Sequence, residues 1–139
     1  MRLDQQSCRE RLAAARVAYL ATAGRDLWPH VVPVTFAVVD NQLVTGVDQK
    51  PKSTTSLRRL RNIGENPLVS VLCDRYEDDW TRLWWVRAAG HARIVSEGDT
   101  RDSATVLLRA KYPQYKDDPP QGPIIVVAID SWSGWSFSL

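Results

Sequence analysis

The segment over residues 28–54 constrains the fold of this chain more strongly than any other part of the sequence. It contains a β-favouring run, residues 31–36, in which Pro33 removes one hydrogen-bond donor from the strand ladder. A turn signal at Asp40-Asn41 then precedes a second β-favouring run over residues 42–47, which predicts an antiparallel return. A ligand could lie along the strand edge beside Pro33.

The end of the same segment predicts a binding site for an anion. Lys50 and Lys52 supply two ammonium groups, and Ser53 and Thr54 supply two hydroxyls, just before an apolar pattern at helical spacing. Backbone N–H groups at the start of that helix would point in the same direction as the lysines. A flat apolar strand edge beside an anion site is what a phosphate-bearing ring cofactor needs.

The remaining patterns predict a mainly β chain with attached helices. Helical spacing is found over residues 4–16, 53–64 and 100–112, and β-favouring runs over residues 17–22, 29–39, 42–47, 68–73, 83–95, 124–129 and 132–137. Six or seven antiparallel strands with two or three helices are typical of a barrel-like β core. A length of 139 residues, nearly half of them apolar, predicts a single domain over residues 1–139.

Charge and composition exclude several classes of protein. The net charge is +2, and acidic residues are interspersed with the basic ones, so we expect no nucleic-acid partner. No apolar run is long enough to span a membrane and the N-terminus is unlike a signal peptide, so we expect a cytoplasmic protein with no membrane contact. The two cysteines, Cys8 and Cys73, are then expected to be reduced packing residues.

Sequence motifs for catalysis by side chains alone are absent. The chain has no nucleophile-elbow, P-loop, dinucleotide-binding or zinc-protease motif. His30 and His91 are far apart in sequence and cannot build a metal site alone, so no metal is expected; His30 adjoins the proposed ligand strand and is kept as a possible contact. Any catalysis should therefore depend on a cofactor, and no catalytic side chain is assigned.

Tryptophan is unusually frequent, with six residues in the chain. Large rings in excess of what a core needs favour an interface or a flat ligand. Trp84 and Trp85 are adjacent in a strand pattern, so they must face opposite sides of the sheet. One of them belongs to the core, and the other needs a different explanation.

Three segments, in their order and spacing, carry a resemblance to a known family. They are residues 29–36, residues 50–61 with Asn66-Pro67 behind them, and residues 85–92. The chain resembles the split β-barrel flavin and deazaflavin oxidoreductases, the superfamily related to pyridoxamine-phosphate oxidase, and specifically its branch that depends on coenzyme F420. The fold that the resemblance implies is the FMN-binding split β-barrel.

The resemblance also implies a homodimer with two cofactor sites at the subunit interface. The cofactor ring would lie along residues 31–35, and its phosphate side would be held at the basic helix entrance. At the position of Trp85, flavin-binding relatives often carry a polar residue that touches the ring from the other chain. The tryptophan here favours stacking instead, and Trp135 would be a second aromatic wall. The expected cofactor contacts are His30, Val31, Val32, Pro33, Val34, Thr35, Lys50, Lys52, Ser53, Thr54, Trp85 and Trp135.

The function that follows is an oxidoreductase in which reduced F420 delivers a hydride to a small planar or conjugated acceptor. Two alternatives use the same fold: an FMN-dependent oxidase or reductase, and a non-catalytic cofactor-binding or carrier protein. A third alternative is a basic interaction module that uses Arg58, Arg59 and Arg61. Turnover with a panel of acceptors separates an enzyme from a carrier.

Overall fold

The computed structural model describes residues 1–47 and 54–138, and for residues 54–57 it describes the backbone only. Within these ranges the chain forms seven strands, three α-helices and two short 3₁₀ helices. The α-helices are α1 (Gln5–Ala14), α2 (Thr54–Glu65) and α3 (Asp99–Lys111). The strands are β1 (Ala18–Ala23), β2 (Pro29–Val34), β3 (Ala37–Val39), β4 (Gln42–Gly46), β5 (Leu68–Arg75), β6 (Trp84–Val95) and β7 (Ile124–Ser136).

All seven strands belong to one antiparallel sheet in the order β2-β1-β5-β6-β7-β4-β3. The sheet curls into a half-barrel, so side chains from strands that are distant in this order share one core. The prediction of a mainly β split barrel with six to seven strands and two to three helices is confirmed.

The concave side of the sheet holds the main core. Alternate residues of the strands point inward, and Leu20, Val71 and Val127 are fully buried there. Helix α1 contributes Cys8 and Leu12 to this core. Asp4 begins α1, because its carboxylate accepts a hydrogen bond of 2.8 Å from the backbone N–H of Ser7.

Helix α3 covers part of the convex side of the sheet. Its buried residues Ala104 and Leu108 pack with Val44 of β4 and Val126 of β7 in a second, smaller core. This leaves uncovered, among the described residues, the convex surface of β2, β1, β5, β6 and the C-terminal half of β7. We call this surface the outer face.

Two strand boundaries differ from those that the sequence predicts. The run over residues 29–39 is divided into β2 and β3, because β2 pairs with β1 whereas β3 pairs with β4 at the other end of the sheet. Phe36 lies at this division and is fully buried. The two runs at the C-terminus, in contrast, form the single strand β7, which contains a bulge.

Candidate functional site

Strand pairing arranges the outer face as rows of neighbouring side chains, because paired residues of an antiparallel sheet lie side by side. One row starts with Val31 of β2 and continues with small side chains on the next four strands. Those small residues are Ala21, Ser70, Ala89 and Ser131. The next row carries larger side chains, and its members are Pro33, Tyr19, Leu72, Arg87 and Ser133.

A groove of about 420 Å³ follows the row of small residues. Ala21, Ser70 and Ala89 line it, and Leu68 and Asp130 line its side away from Tyr19 and Leu72. Volumes of this size are typical of sites for small molecules. The groove exists because strand pairing brings short side chains from four strands into one row, between longer side chains such as Leu72 and Leu68.

Trp85 and Trp135 form a directly opposed cross-strand pair on the outer face. The guanidinium carbon of Arg87 lies 5.3 Å from the centre of the Trp85 ring. Trp84 is on the opposite side of the sheet, where it packs against the main core and Arg11 lies 5.1 Å from its ring centre. The prediction that the two adjacent tryptophans face opposite sides is confirmed.

The predicted ring contacts on β2 are divided between the two sides of the sheet. Val31 is 59% exposed and Pro33 is also exposed, so both side chains belong to the outer face. Val32 and Val34 are buried in the core. A ring that lies along β2 would therefore meet the side chains of Val31 and Pro33, and only the backbone of the two buried valines.

Thr35 lies beyond the end of β2, toward α3. Its hydroxyl shares a hydrogen bond of 2.7 Å with the hydroxyl of Tyr115, and its carbonyl accepts a bond of 2.7 Å from the hydroxyl of Thr45. These contacts fix the chain where it leaves β2. They also place Thr35 at the margin of the outer face.

His30 is directed toward α2, since it is paired with the buried Thr22 on the inner side of β1. Burial lowers the pKa of His30, and the nearby charges of Arg58 and Arg59 lower it further. Its Nδ1 is buried without a hydrogen-bond partner among the described residues. The sheet therefore separates the His30 ring from the tryptophan pair on the outer face.

The predicted anion site falls largely outside the described residues. Lys50, Lys52 and Ser53 are not among them, and Thr54 is described only as the first residue of α2. The prediction that these residues hold the phosphate side of a cofactor therefore stays a prediction. The described part of α2 does carry cationic side chains, and Arg58 lies 3.9 Å from the carboxylate of Asp26.

The structure adds a pair of residues that the sequence did not indicate. Nδ1 of His91 on β6 lies 2.5 Å from a carboxylate oxygen of Asp130 on β7, beside the groove. The signal that could have found it is Gly90, because a glycine inside a strand pattern often marks a bulge. Such a signal locates the irregularity on β6 but does not identify the partner on β7.

Other chemistry finds little support in the part of the chain that the structure describes. No group of three or more His, Cys, Asp or Glu side chains is placed there to hold a metal ion.

Both cysteines are free and buried, and burial raises the pKa of the Cys73 thiol to about 12, which is consistent with a packing role. None of the described helices is both long enough and apolar enough to cross a membrane.

A family model described as pyridoxamine 5'-phosphate oxidase matches residues 5–136 of the sequence. The chain belongs to this family. No protein among the curated sequences matches it. The match spans α1 and continues to the end of β7, so it includes the whole outer face and the helix entrance before α2.

Solved structures share the fold at low sequence identity. A Mycobacterium tuberculosis protein described as a conserved hypothetical protein superposes with a TM-score of 0.77 and 21% identity, covering 97% of this chain and 86% of that one. An FAD-binding protein from Mycobacterium smegmatis has a TM-score of 0.66 and 18% identity over 97% and 96% of the two chains. An FAD-binding protein from Mesorhizobium loti has a TM-score of 0.65 and 23% identity over 96% and 95%.

The outer face fits the ring end of a flavin-type cofactor. A flat ring needs an apolar surface on which to stack, and Val31 and Pro33 supply one on β2 beside the groove. The tryptophan pair on β6 and β7 supplies a second apolar surface, which β1 and β5 separate from β2.

Proposed function

We propose that this protein is an oxidoreductase that uses the deazaflavin coenzyme F420 to transfer a hydride to a small planar or conjugated acceptor. The observation that carries the proposal is the opposed pair of Trp85 and Trp135 on the outer face of a chain in the pyridoxamine 5'-phosphate oxidase family. When bound, reduced F420 would supply the hydride. The chain would supply binding, orientation and exclusion of water.

Trp85 supports F420 over a flavin. Its indole offers a stacking surface, with Arg87 5.3 Å from the ring centre. A stacked indole presents its face rather than its N–H to the cofactor, so it gives no hydrogen bond at the position where a flavin has a ring nitrogen. A deazaflavin has carbon at that position, so the absence of a hydrogen bond there costs it no binding energy, whereas a flavin loses a contact to its ring nitrogen. Stacking on an apolar wall is then sufficient to orient the ring.

The residues in direct reach of the ring would be Val31 and Pro33 of one copy, with Trp85 and Trp135 of the second copy as aromatic walls. Lys50 and Lys52, with the hydroxyls of Ser53 and Thr54, would hold the phosphate side. No covalent nucleophile of the chain takes part in this reaction.

We also propose that the protein is a homodimer of single-domain subunits, with the cofactor sites at the interface. The exposed apolar side chains of the outer face support this proposal, since Tyr19 is 42% exposed and Leu72 is 37% exposed on adjacent strands. Contiguous apolar surface of this kind is uncommon on isolated monomers. A second copy would cover it and would bring its own tryptophan pair to each ring as an aromatic wall.

A second candidate is an oxidoreductase that uses FMN or FAD. It is favoured by the family itself and by the two structurally similar proteins that are described as FAD-binding. Their identities to this chain are 18% and 23%, so they support the candidate through the shared fold only. The sequence difference at Trp85 favours the first candidate.

Equilibrium titration separates the two candidates. Purified protein is titrated with F420, FMN and FAD in turn, and binding is followed by the fluorescence of the cofactor and of tryptophan. We expect saturable binding of F420 and much weaker binding of both flavins. Tight retention of FMN without any response to F420 would reverse the order of the candidates, and absence of turnover with every acceptor of a panel would favour a carrier.

A further inference from the structure

We propose that the groove on the outer face binds a neutral planar acceptor with a carbonyl group, and that His91, positioned by Asp130, donates the proton that accompanies the hydride. This inference rests on the proposed function and adds to it a substrate class, an acceptor site and a catalytic residue. It starts from the bulge between β6 and β7.

The bulge makes Asp130 the additional residue of β7. Ala89 pairs with Ser131 whereas Gly90 pairs with Ile129, so Asp130 has no direct partner on β6. Such an insertion redirects the extra side chain, and bulges are frequent beside active sites for this reason. Here Asp130 is directed to the outer face, where it reaches His91 and lines the groove.

Gly90 is what permits this arrangement. A Cβ atom on Gly90 would lie 2.0 Å from the backbone oxygen of Ala128, which is far inside van der Waals contact. Any other residue would push the two strands apart at the bulge. The close approach of β6 and β7, and with it the geometry of the His91–Asp130 pair, therefore depends on glycine at this position.

The pair leaves one nitrogen of His91 available to a ligand. Nδ1 lies 2.5 Å from Asp130, so the carboxylate fixes the ring orientation and Nε2 is the nitrogen that can exchange a proton. The His91 side chain is 58% exposed, so water can return a proton to it after each turnover. A catalytic proton donor needs a fixed ring orientation and a route by which solvent returns the proton.

The groove favours a neutral, flat molecule. Its lining is mostly apolar, and its volume of about 420 Å³ suits a molecule of one or two rings. The carboxylate of Asp130 at its side would repel an anion. The floor continues toward Val31 through Ala21, so a molecule in the groove would lie next to a cofactor ring placed along β2.

The reaction balances with one proton from His91. The hydride, which carries two electrons, forms a C–H bond at the carbon β to the carbonyl of the acceptor, and the C=C electron pair shifts toward the carbonyl oxygen. The Nε2–H bond of the His91 imidazolium then breaks, its electron pair stays on Nε2, and its proton forms a new bond to the carbon α to the carbonyl, which restores the C=O double bond. The reduced coenzyme is oxidised, the acceptor is reduced, and solvent protonates His91 again.

The first test measures binding of menadione, a neutral planar quinone, by quenching of tryptophan fluorescence. We expect His91→Phe, which removes the hydrogen-bond donor, to weaken binding about threefold to tenfold. Arg93→Met is the matched control, because Arg93 is exposed on the same face of β6 two residues beyond His91, and its affinity should equal that of the wild type. Equal affinities for wild type and His91→Phe would overturn the assignment of His91.

The second test measures charge selection with 1,4-naphthoquinone-2-sulfonate as an anionic probe. We expect the wild type to bind the sulfonate more weakly than menadione, and Asp130→Asn to reduce that difference at least about twofold. A wild type that prefers the anion would overturn the substrate class.

The third test uses turnover of 2-methyl-2-cyclohexen-1-one with reduced F420. We expect His91→Phe to lower kcat at least about tenfold with an unchanged dissociation constant for F420. The new stereocentre beside the carbonyl should lose its enantiomeric excess, a change that a merely structural role would not produce. Turnover by His91→Phe at the wild-type rate and enantiomeric excess would overturn the catalytic role.

Occupation of the groove by a second copy is the competing explanation. Ala89→Trp would fill the floor, and we expect it to abolish menadione binding. The particle mass in size-exclusion chromatography with light scattering should not change, because Ala89 belongs to the row of small residues and not to the row of Tyr19 and Leu72 that a second copy would cover. A change in mass would contradict the acceptor site. Binding of menadione by a wild type that shows no turnover with F420 would instead contradict the proposed function and support the groove.

Discussion

The ammonium group of Lys111 lies in surroundings that disfavour its charge. Its nitrogen is 3.8 Å from the centre of the Phe36 ring and is buried without a hydrogen-bond partner among the described residues. Burial, and then the charge of Arg16, lower its pKa from 10.5 to about 8, while Cys73 opposes the shift. Contact with the aromatic ring compensates only part of this cost.

Replacing Lys111 with methionine should stabilise the protein at pH 7. Because the folded-state pKa lies below the ordinary value, the cost of charging is complete below pH 8 and disappears as pH rises toward 10.5. After allowance for solvent screening, Lys111→Met should raise Tm by about 3–5 °C at pH 7, and the gain over wild type should shrink by pH 10. Thermal unfolding of both proteins at the two pH values checks this, and an unchanged or lower Tm at pH 7 would contradict it.

Lys52 tests the predicted anion site by mutation. Loss of one charge-assisted contact costs roughly 1.5–3 kcal/mol, so Lys52→Ala should weaken cofactor binding at least several-fold with an unchanged unfolding curve. Lys116→Ala, at an exposed position after α3, is the matched control. If the two variants bind the cofactor equally well, Lys52 does not belong to the site.

The side of the sheet that a residue faces could be predicted from the sequence where alternation within its own strand decides it. Alternation within a strand was enough to place Trp85 and Trp84 on opposite sides. The same reasoning could not find the His91–Asp130 pair, since the two residues are 39 positions apart and meet only through the β6–β7 register. Gly90 marks the irregularity on β6, but the register decides which residue of β7 becomes the extra one.

At the level of elements, the bulge between β6 and β7 should be intolerant of any side chain on Gly90. A Cβ there would meet backbone atoms that cannot move independently of the strand. Gly90→Ala should therefore lower the free energy of unfolding by about 2 kcal/mol or more, measured by urea denaturation. Gly64→Ala in α2 is the matched control, because nothing lies within 4 Å of its added Cβ; it should be neutral or stabilising by up to about 1 kcal/mol. Equal stability of the two variants would show that the strands do not approach so closely.

Helices and turns were predictable to within a few residues, whereas the assignment of strands to pairs was not. Asp4 signals the start of α1 and the Asn66-Pro67 pair signals the end of α2. Both signals can be read from the sequence because these residues affect only the backbone beside them. The division of residues 29–39 into β2 and β3 has a different origin. It follows from the passage of the chain from one end of the sheet to the other, which depends on the whole fold.

For the whole molecule, the uncovered outer face predicts association of two copies. Leu72→Asp places a charge on that face between Tyr19 and Arg87 and should shift the protein toward monomer. Val106→Asp on α3 is the matched control, since Val106 is 67% exposed and α3 packs on the other part of the sheet. Light scattering of the eluted peak checks the mass; an unchanged dimer of Leu72→Asp, or a monomeric wild type, would contradict the proposal.

The sequence was sufficient for the class of fold because short strands, tight turns and two β-branched runs leave few alternatives to a β-barrel with attached helices. The sequence was not sufficient to predict which side of the sheet stays uncovered. That is decided by where α3 packs, and Ala104 and Leu108 would fit any apolar surface of similar shape. The outer face, the groove and the approach of β6 to β7 are therefore properties of the assembled sheet.

The central claim is that the ring of F420, lying along β2 of one copy, stacks on Trp85 of the second copy. Titration of F420 into wild type, Trp85→Leu and Trp80→Leu tests it, since Trp80 is 70% exposed on a 3₁₀ turn outside the strand pair. We predict that Trp85→Leu weakens binding at least about fivefold, as loss of an aromatic stacking contact would, while Trp80→Leu binds as the wild type does. Equal dissociation constants for all three proteins would contradict the account.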